Sequence, residues 1–284
     1  MEDPCTLYLD LVMRSVTNYI YGPAEPGFDE QARVNGKDLP HTAQTMVGLK
    51  RLEALLEKIK VVLETGVGGD LVEAGVWRGG TSILMRATLK AFGVTDRLVW
   101  VADSFEGMPP PDPIQYPVDA GSTLHDIPEL AVPLEEVKGH FNRYGLLDSQ
   151  VRFLKGWFRE TLAEAPISNI AVLCLDSGMY ESTMNILENL YPKLSPGGFV
   201  IMNDYALHGC RKAVEDFRRL HRITASIQPS DWSGAFWQRP MDRQASPGFI
   251  AAAHRQESSR AGHNVTLAVQ ESGDVERFAH GTLQ

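Results

Sequence analysis

Two apolar runs late in the chain each end in acid. Ala171-Val172-Leu173-Cys174-Leu175 runs into Asp176, and Phe199-Val200-Ile201-Met202 runs into Asn203-Asp204. Two carboxylates and an amide oxygen form a hard, oxygen-only ligand set suited to Mg²⁺; the same acids would equally cap the helices that follow or solvate a loop. Earlier, Leu98-Val99-Trp100-Val101-Ala102 ends in Asp103 and Ser104. An acid at the end of the second strand of a nucleotide site accepts hydrogen bonds from ribose hydroxyls, although Asp103 also reads as an acid at a helix start. Earlier still, Val72-Glu73-Ala74 precedes glycines at 75, 79 and 80, and a glycine there lets the backbone approach a ligand closely. Ordinary strand-to-helix turns have similar spacing. Gly156-Trp157-Phe158 follows the apolar VRFLK, where an aromatic side chain would flank a purine or fill a core. The eight histidines form no metal-spaced cluster. His208, four residues after Asp204, and His41, just ahead of Thr45-Met46, stand nearest the inferred cleft and are the candidates for proton acceptance.

These residues need elements to hold them, and the hydrophobic pattern supplies a regular series. An amphipathic helix is predicted from Thr45 to Leu63, with apolar residues at 46, 49, 52, 55, 56, 59 and 63, the spacing of one helical face. Strand and helix then alternate: strand 71 to 74, helix 80 to 92, strand 98 to 102, helix 134 to 144, strand 151 to 154, helix 158 to 164, strand 170 to 175, helix 181 to 191 and strand 198 to 202. Such alternation implies an α/β fold, a mainly parallel central sheet with helices on both faces. Ligands of such sheets bind at the carboxyl ends of the strands, where the residues above fall. The segment from Met108 to Pro133 carries seven prolines and reads as a long loop, of the kind that forms lids or binding loops. Residues 1 to 45, with an apolar stretch from Leu7 to Tyr21 and a Gly/Pro-rich turn, read as an N-terminal arm or lid. Residues 46 to 240 form the catalytic domain, and 241 to 284 a C-terminal extension, partly disordered by composition.

Composition narrows the partners. Lys and Arg number 27 against 36 Asp and Glu, a net charge of −9, and no basic run could track a phosphate backbone. Nucleic acid is therefore not expected. No apolar stretch approaches the roughly 20 residues of a membrane span, and the amino terminus starts acidic. A cytoplasmic location without membrane association is expected. Cys5, Cys174 and Cys210 suggest neither a disulfide framework nor a zinc site, and Cys174 reads as a buried strand residue.

Taken together, the Asp38-Leu39-Pro40 turn with Thr45-Met46-Val47-Gly48, VEAGVWRGG, ADSFEGMPPP, KGWFRETL, LDSGMYES, LYPKLSPGG, NDYALHGCRKAVEDFR and DWSGAFW resemble the macrocin-type sugar O-methyltransferases of antibiotic biosynthesis, which include mycinamicin- and novobiocin-pathway enzymes. The resemblance runs from about Lys37 to Trp237. It implies a Rossmann-like class I methyltransferase that binds S-adenosylmethionine, uses Mg²⁺, methylates a sugar hydroxyl on a small-molecule natural product and is a homo-oligomer. By the same resemblance Glu73 and Gly75 line the methionine end of the cofactor, with Thr45 and Met46 covering it. Asp103 and Ser104 hold the ribose, while Gly156, Trp157 and Phe158 lie near the adenine. Asp176 adjoins the cofactor and binds the metal together with Asn203 and Asp204.

Two departures stand out. The family usually has Asp-Gly-Asp where this chain has Asp176-Ser177-Gly178, and an Asp pair where it has Asn203-Asp204. The second Asp of the first motif is the family's general base, so the base position here is Gly178, which accepts no proton. Asn203 leaves the metal set one charge short. A positioned base contributes roughly 10²- to 10⁴-fold. The resemblance therefore implies His208 or His41 in its place, an acceptor that needs little deprotonation (an N- or C-methyltransferase), or a non-methylating cyclase or isomerase on the same fold.

Overall fold

The computed structural model describes residues 3–241; the expected C-terminal extension falls, from 242 on, outside them. Seven strands form one sheet in the order β3-β2-β1-β4-β5-β7-β6. They are β1 (Asp70–Ala74), β2 (Val99–Asp103), β3 (Val151–Lys155), β4 (Ile170–Leu175), β5 (Leu194–Met202), β6 (Gln228–Pro229) and β7 (Ala235–Gln238). The first five pair in parallel, and β7 runs antiparallel to both neighbours. Every residue of β4 is buried, as a central strand covered on both faces requires.

The helices are α1 (Pro4–Val16), α2 (Glu30–Asn35), α3 (Leu49–Glu64), α4 (Gly80–Ala91), α5 (Leu134–Arg143), α6 (Phe158–Thr161), α7 (Tyr180–Leu190) and α8 (His208–Leu220). One core lies where α1, α3, α4 and α5 cover the sheet, around Leu52, Ile59, Leu84 and Phe141. The other lies under α7 and α8, around Ile186, Leu187, Phe217 and Trp237. This is the α/β arrangement expected, with helices on both faces. The apolar side of α1, Leu9, Val12, Met13 and Val16, is buried within the first core.

Several boundaries moved for local reasons. The helix expected from Thr45 begins at Leu49. Gln44 and Thr45 instead donate their backbone N–H groups to the Val16 carbonyl, and the Thr45 hydroxyl accepts from the Val47 amide at 3.0 Å, a local turn that competes with helix. The first helix ends at Val16, ahead of Asn18 with its φ of 50°. Strand β5 begins four residues earlier than expected, at Leu194. The β6–β7 hairpin is not announced by periodicity: β6 has two residues, one of them proline. Its turn is built by Asp231, which accepts from the Ser233 and Gly234 amides at 2.9 and 2.6 Å. Residues 108–133 form the expected long connection, with only three single-turn 3-10 segments.

Candidate active site

The sheet order reverses between β1 and β4, and there the adjacent connections diverge to leave a crevice. Gly75 ends β1 with φ of 88°; a Cβ on it would lie 1.7 Å from the Asp176 carbonyl oxygen at the end of β4. Only glycine lets the two strand ends approach this closely. The cleft above them encloses about 710 Å³, counting space open to solvent. Gly75, Asp103, Ser104, Trp157, Phe158 and Asp176 all line it.

Asp103 holds this wall together. Its carboxylate accepts from the Val76 amide at 2.8 Å and the Phe105 amide at 2.7 Å. Burial pushes its pKa up, and these backbone donors oppose the shift. A carboxylate has about four acceptor positions; the Ser104 hydroxyl at 3.4 Å and the Trp77 amide also reach Asp103, so a ligand hydroxyl would have to replace the long Ser104 contact. Trp77 and Phe105, on the two loops that meet here, have φ of 47° and 57°, uncommon for residues with side chains. Trp77 also donates its indole N–H to the Glu129 carbonyl at 2.8 Å, tying the glycine-rich turn to the proline-rich loop.

Glu73 lies beneath the cleft, fully buried on β1, where it accepts from the Ser82 hydroxyl at the start of α4. Burial, helped by the charge of Asp176, holds its carboxyl well above the usual range. Thr45 is buried against Thr81, with their hydroxyls 3.4 Å apart. Neither Thr45, Met46, Glu73 nor Gly156 is among the residues lining the cleft. Gly156 does bond to its wall, donating its N–H to the Asp103 carbonyl at 2.9 Å.

The acids at the ends of β4 and β5 meet as expected. Asp204 lies within hydrogen-bonding reach of Asp176, and burial plus the charge of Asp176 holds its carboxyl well above the usual range. Asn203 turns its amide nitrogen to Asp176 Oδ2 at 3.1 Å, and its backbone carbonyl accepts from Arg51 Nη1 and the Ser233 hydroxyl, each at 3.0 Å. Arg51 is buried in an ion pair with Asp231 at 2.7 Å. Among the described residues no group of three or more His, Cys, Asp or Glu could hold a metal; the third member here is an amide. Cys174 is buried on β4, as its apolar surroundings implied.

A second cleft, of about 1050 Å³ counting open space, shares the β4–α7 turn with the first. Asp176 and Ser177 face the first cleft, while Gly178 and Met179 face the second. The second is bordered by residues 118–124 and Ile127 of the proline-rich loop and by Leu207 and His208 at the start of α8. That loop is latched by Asp119, which is buried and accepts from the Tyr180 and Glu181 amides at 2.7 and 2.9 Å, capping α7 from a distant part of the chain. A Cβ at Gly178 would lie 3.6 Å from Asp204 Oδ2, so this position borders the paired acids. His208 faces this cleft and is exposed. His41 lines neither cleft; its backbone is held by Glu25 and Arg78.

The macrocin O-methyltransferase family, TylF, matches residues 2–239. The chain belongs to this family. Curated relatives include the 8-demethyl-8-(2,3-dimethoxy-α-L-rhamnosyl)-tetracenomycin-C 4'-O-methyltransferase of Streptomyces olivaceus, 53% identical over 84% of this chain and 94% of that one. Another is the mycinamicin III 3''-O-methyltransferase of Micromonospora griseorubida, 47% identical over 82% of this chain and 96% of its own. Among solved structures, the O-methyltransferase NovP superposes with a TM-score of 0.81 at 45% identity, over 83% of this chain and 99% of that one. The TylF fold and cofactor class follow: this is a class I, S-adenosylmethionine-dependent O-methyltransferase of antibiotic biosynthesis. Among the described residues no helix is long and apolar enough to cross a membrane.

Sequence reasoning missed several residues of the TylF-fold cleft. Met108, Pro109 and Leu130 come from the proline-rich loop, and Glu181, Ser182 and Asn185 from one side of α7. The α7 positions follow helical spacing, a signal that becomes readable only once the orientation of α7 on the sheet is known.

Proposed function

We propose that the chain methylates a hydroxyl of a neutral deoxysugar carried on a natural product. The observation that carries this reading is the pair of clefts divided by one turn, with cofactor-type walls on one side of Asp176-Ser177-Gly178-Met179 and a wider, open space on the other. Val118, Leu124, Ile127 and Leu207 give the second space apolar walls, and the carboxylate of Asp119 is occupied by α7 amides. Such walls suit an uncharged glycoside, and the name of the tetracenomycin relative specifies a rhamnosyl acceptor.

When bound beside Gly75, Asp103 and Trp157, S-adenosylmethionine would supply the methyl group, its carbon–sulfur bond being exchanged for the new carbon–oxygen bond, so that S-adenosylhomocysteine and one proton would be the other products. Gly178 offers that proton no acceptor. His208 is the basic side chain on the wall of the second cleft, and we assign proton acceptance to it. His208→Gln is expected to lower kcat by roughly 10²- to 10⁴-fold with cofactor binding unchanged. Unchanged kcat would favour the second reading, raised by Gly178, of a substrate that needs no base: a nitrogen or carbon acceptor, or a non-methylating rearrangement. Mass spectrometry separates these, because a rearrangement yields product without S-adenosylhomocysteine.

Magnesium assistance belongs to the same proposal. Two adjoining carboxyls favour sharing a proton or a cation, and desolvation with the charge of Asp176 raises the pKa of Asp204. Asp176 and Asp204 would hold the ion, with Asn203 supplying a neutral oxygen once its amide is turned; the donor chemistry fits a hard cation of modest affinity. When bound, it would supply positive charge that favours loss of the hydroxyl proton. Exhaustive chelation is expected to reduce turnover, and Asp176→Ala to make the residual rate insensitive to added Mg²⁺. Full activity after chelation would refute this part. Self-association is the family-level expectation, checked by sedimentation.

A further inference from the structure

Glu181 is the second residue of α7 and only 6% exposed. One carboxyl oxygen, Oε1, lies 3.5 Å from Nη1 of Arg159. The other, Oε2, is buried without any hydrogen-bond partner, yet the residue lines the first cleft beside Trp157 and Phe158. A buried carboxylate oxygen left without a donor is costly. Its place on the cleft wall marks it as waiting for a donor that arrives with the ligand.

The order of the strand ends identifies that donor, given the reading of this cleft as the S-adenosylmethionine site, on which the inference rests. The ends of β1, β2 and β3 carry in turn the glycine turn at 75, the acid at 103 and the aromatic pair at 157–158. A ligand stretched along them has its ribose at Asp103 and its base against the aromatic side chains. Arg159, the residue that Glu181 faces, directly follows Phe158. The ammonium group of the methionine end belongs near Gly75, and the ribose hydroxyls near Asp103. The donor left for the β3 side is the exocyclic amine of the purine.

We infer that Glu181 is a specificity residue that accepts a hydrogen bond from the adenine 6-amino group through Oε2. A site built around such a bond rejects a ligand that lacks the donor, because the acceptor is then buried unpaired. Arg159 is the positioning partner, holding the other oxygen.

The test is a binding cycle by calorimetry on the full chain, with S-adenosylhomocysteine and its analogue carrying hydrogen in place of the 6-amino group. The parent is expected to prefer S-adenosylhomocysteine by roughly 10- to 100-fold, the value of a hydrogen bond to a charged group. Glu181→Gln, whose amide oxygen pairs with Arg159 and so turns an NH2 toward the ligand in place of the acceptor, and Glu181→Ala, which leaves no acceptor, are both expected to bring the two ligands within about threefold, largely by weakening S-adenosylhomocysteine. Coincident unfolding curves for parent and Gln variant would exclude a general structural effect; should the Gln variant not fold, the Ala variant decides. A parent that binds both ligands equally, or variants that retain the parent's preference, would overturn the assignment to Glu181 alone. A parent that binds neither ligand would instead overturn the reading of the cleft as the cofactor site, and the assignment with it.

Discussion

Gly75→Ala would test the geometry on which the site depends. Its Cβ would lie 1.7 Å from the Asp176 carbonyl oxygen, where real Cβ contacts essentially never fall below 3.0 Å, so the ends of β1 and β4 would have to part by more than an ångström. Both are central strands bonded on either side, and neither atom in conflict belongs to a flexible side chain. The positive φ of 88° adds a second penalty. Overpacking costs about 1–3 kcal/mol and left-handed backbone about 1–2 kcal/mol, so a loss of about 2–5 kcal/mol is expected. Gly66→Ala provides the control: its φ is also positive, at 70°, but nothing lies within 4 Å of the added carbon, so only the conformational part, about 1–2 kcal/mol, applies. Urea unfolding of both variants, compared at a common slope, measures the difference directly. Calorimetry should show S-adenosylhomocysteine binding lost in Gly75→Ala and kept in Gly66→Ala. Equal destabilisation in the two variants, within about 0.5 kcal/mol, would refute the claim that close strand approach is what requires glycine at 75.

Arg51→Ala should destabilise the fold by about 3–5 kcal/mol, because it leaves Asp231 buried without its partner; a loss under about 1 kcal/mol in urea titrations would show that Arg51 is not holding the β6–β7 turn to Asn203. Glu73 keeps its proton in the folded protein at pH values where the unfolded chain releases it. Its contribution is therefore intact below the ordinary Glu value of about 4.3 and is lost as pH rises toward the folded value. Glu73→Gln should flatten that decline and raise the urea midpoint at pH 8 relative to the parent; parallel pH profiles would contradict the assignment. Asp119→Ala removes the acceptor for two α7 amides and should cost about 1–2 kcal/mol. It should also speed protease cleavage within residues 108–133, and unchanged cleavage would show that the loop is held by other contacts.

The alternation of apolar runs and amphipathic stretches was enough to determine the parallel core, since a strand buried on both faces has to read as IAVLCL and a covering helix has to show one apolar side. The sequence also determined which positions adjoin the crevice: Gly75, Asp103, Trp157 and Asp176 each lie at the end of an apolar strand, and in such sheets strand carboxyl ends form the binding edge. Elements with weak local signals were not legible. The two-residue β6 carries no periodicity, and the start of α3 at Leu49 was set by the bonds of Gln44 and Thr45 to Val16, far away in sequence. Which side chains share the site was likewise decided by tertiary structure. Asp119 reaches α7 across 61 residues, Arg51 reaches Asn203 across 152, and His208 rather than His41 lines the second cleft. Glu181 carries no distinguishing signal in the sequence; it is packing that buries it with one oxygen unpaired. Periodicity is a short-range property that records which face of an element is buried; the partner that a buried polar atom meets depends on how separate elements pack.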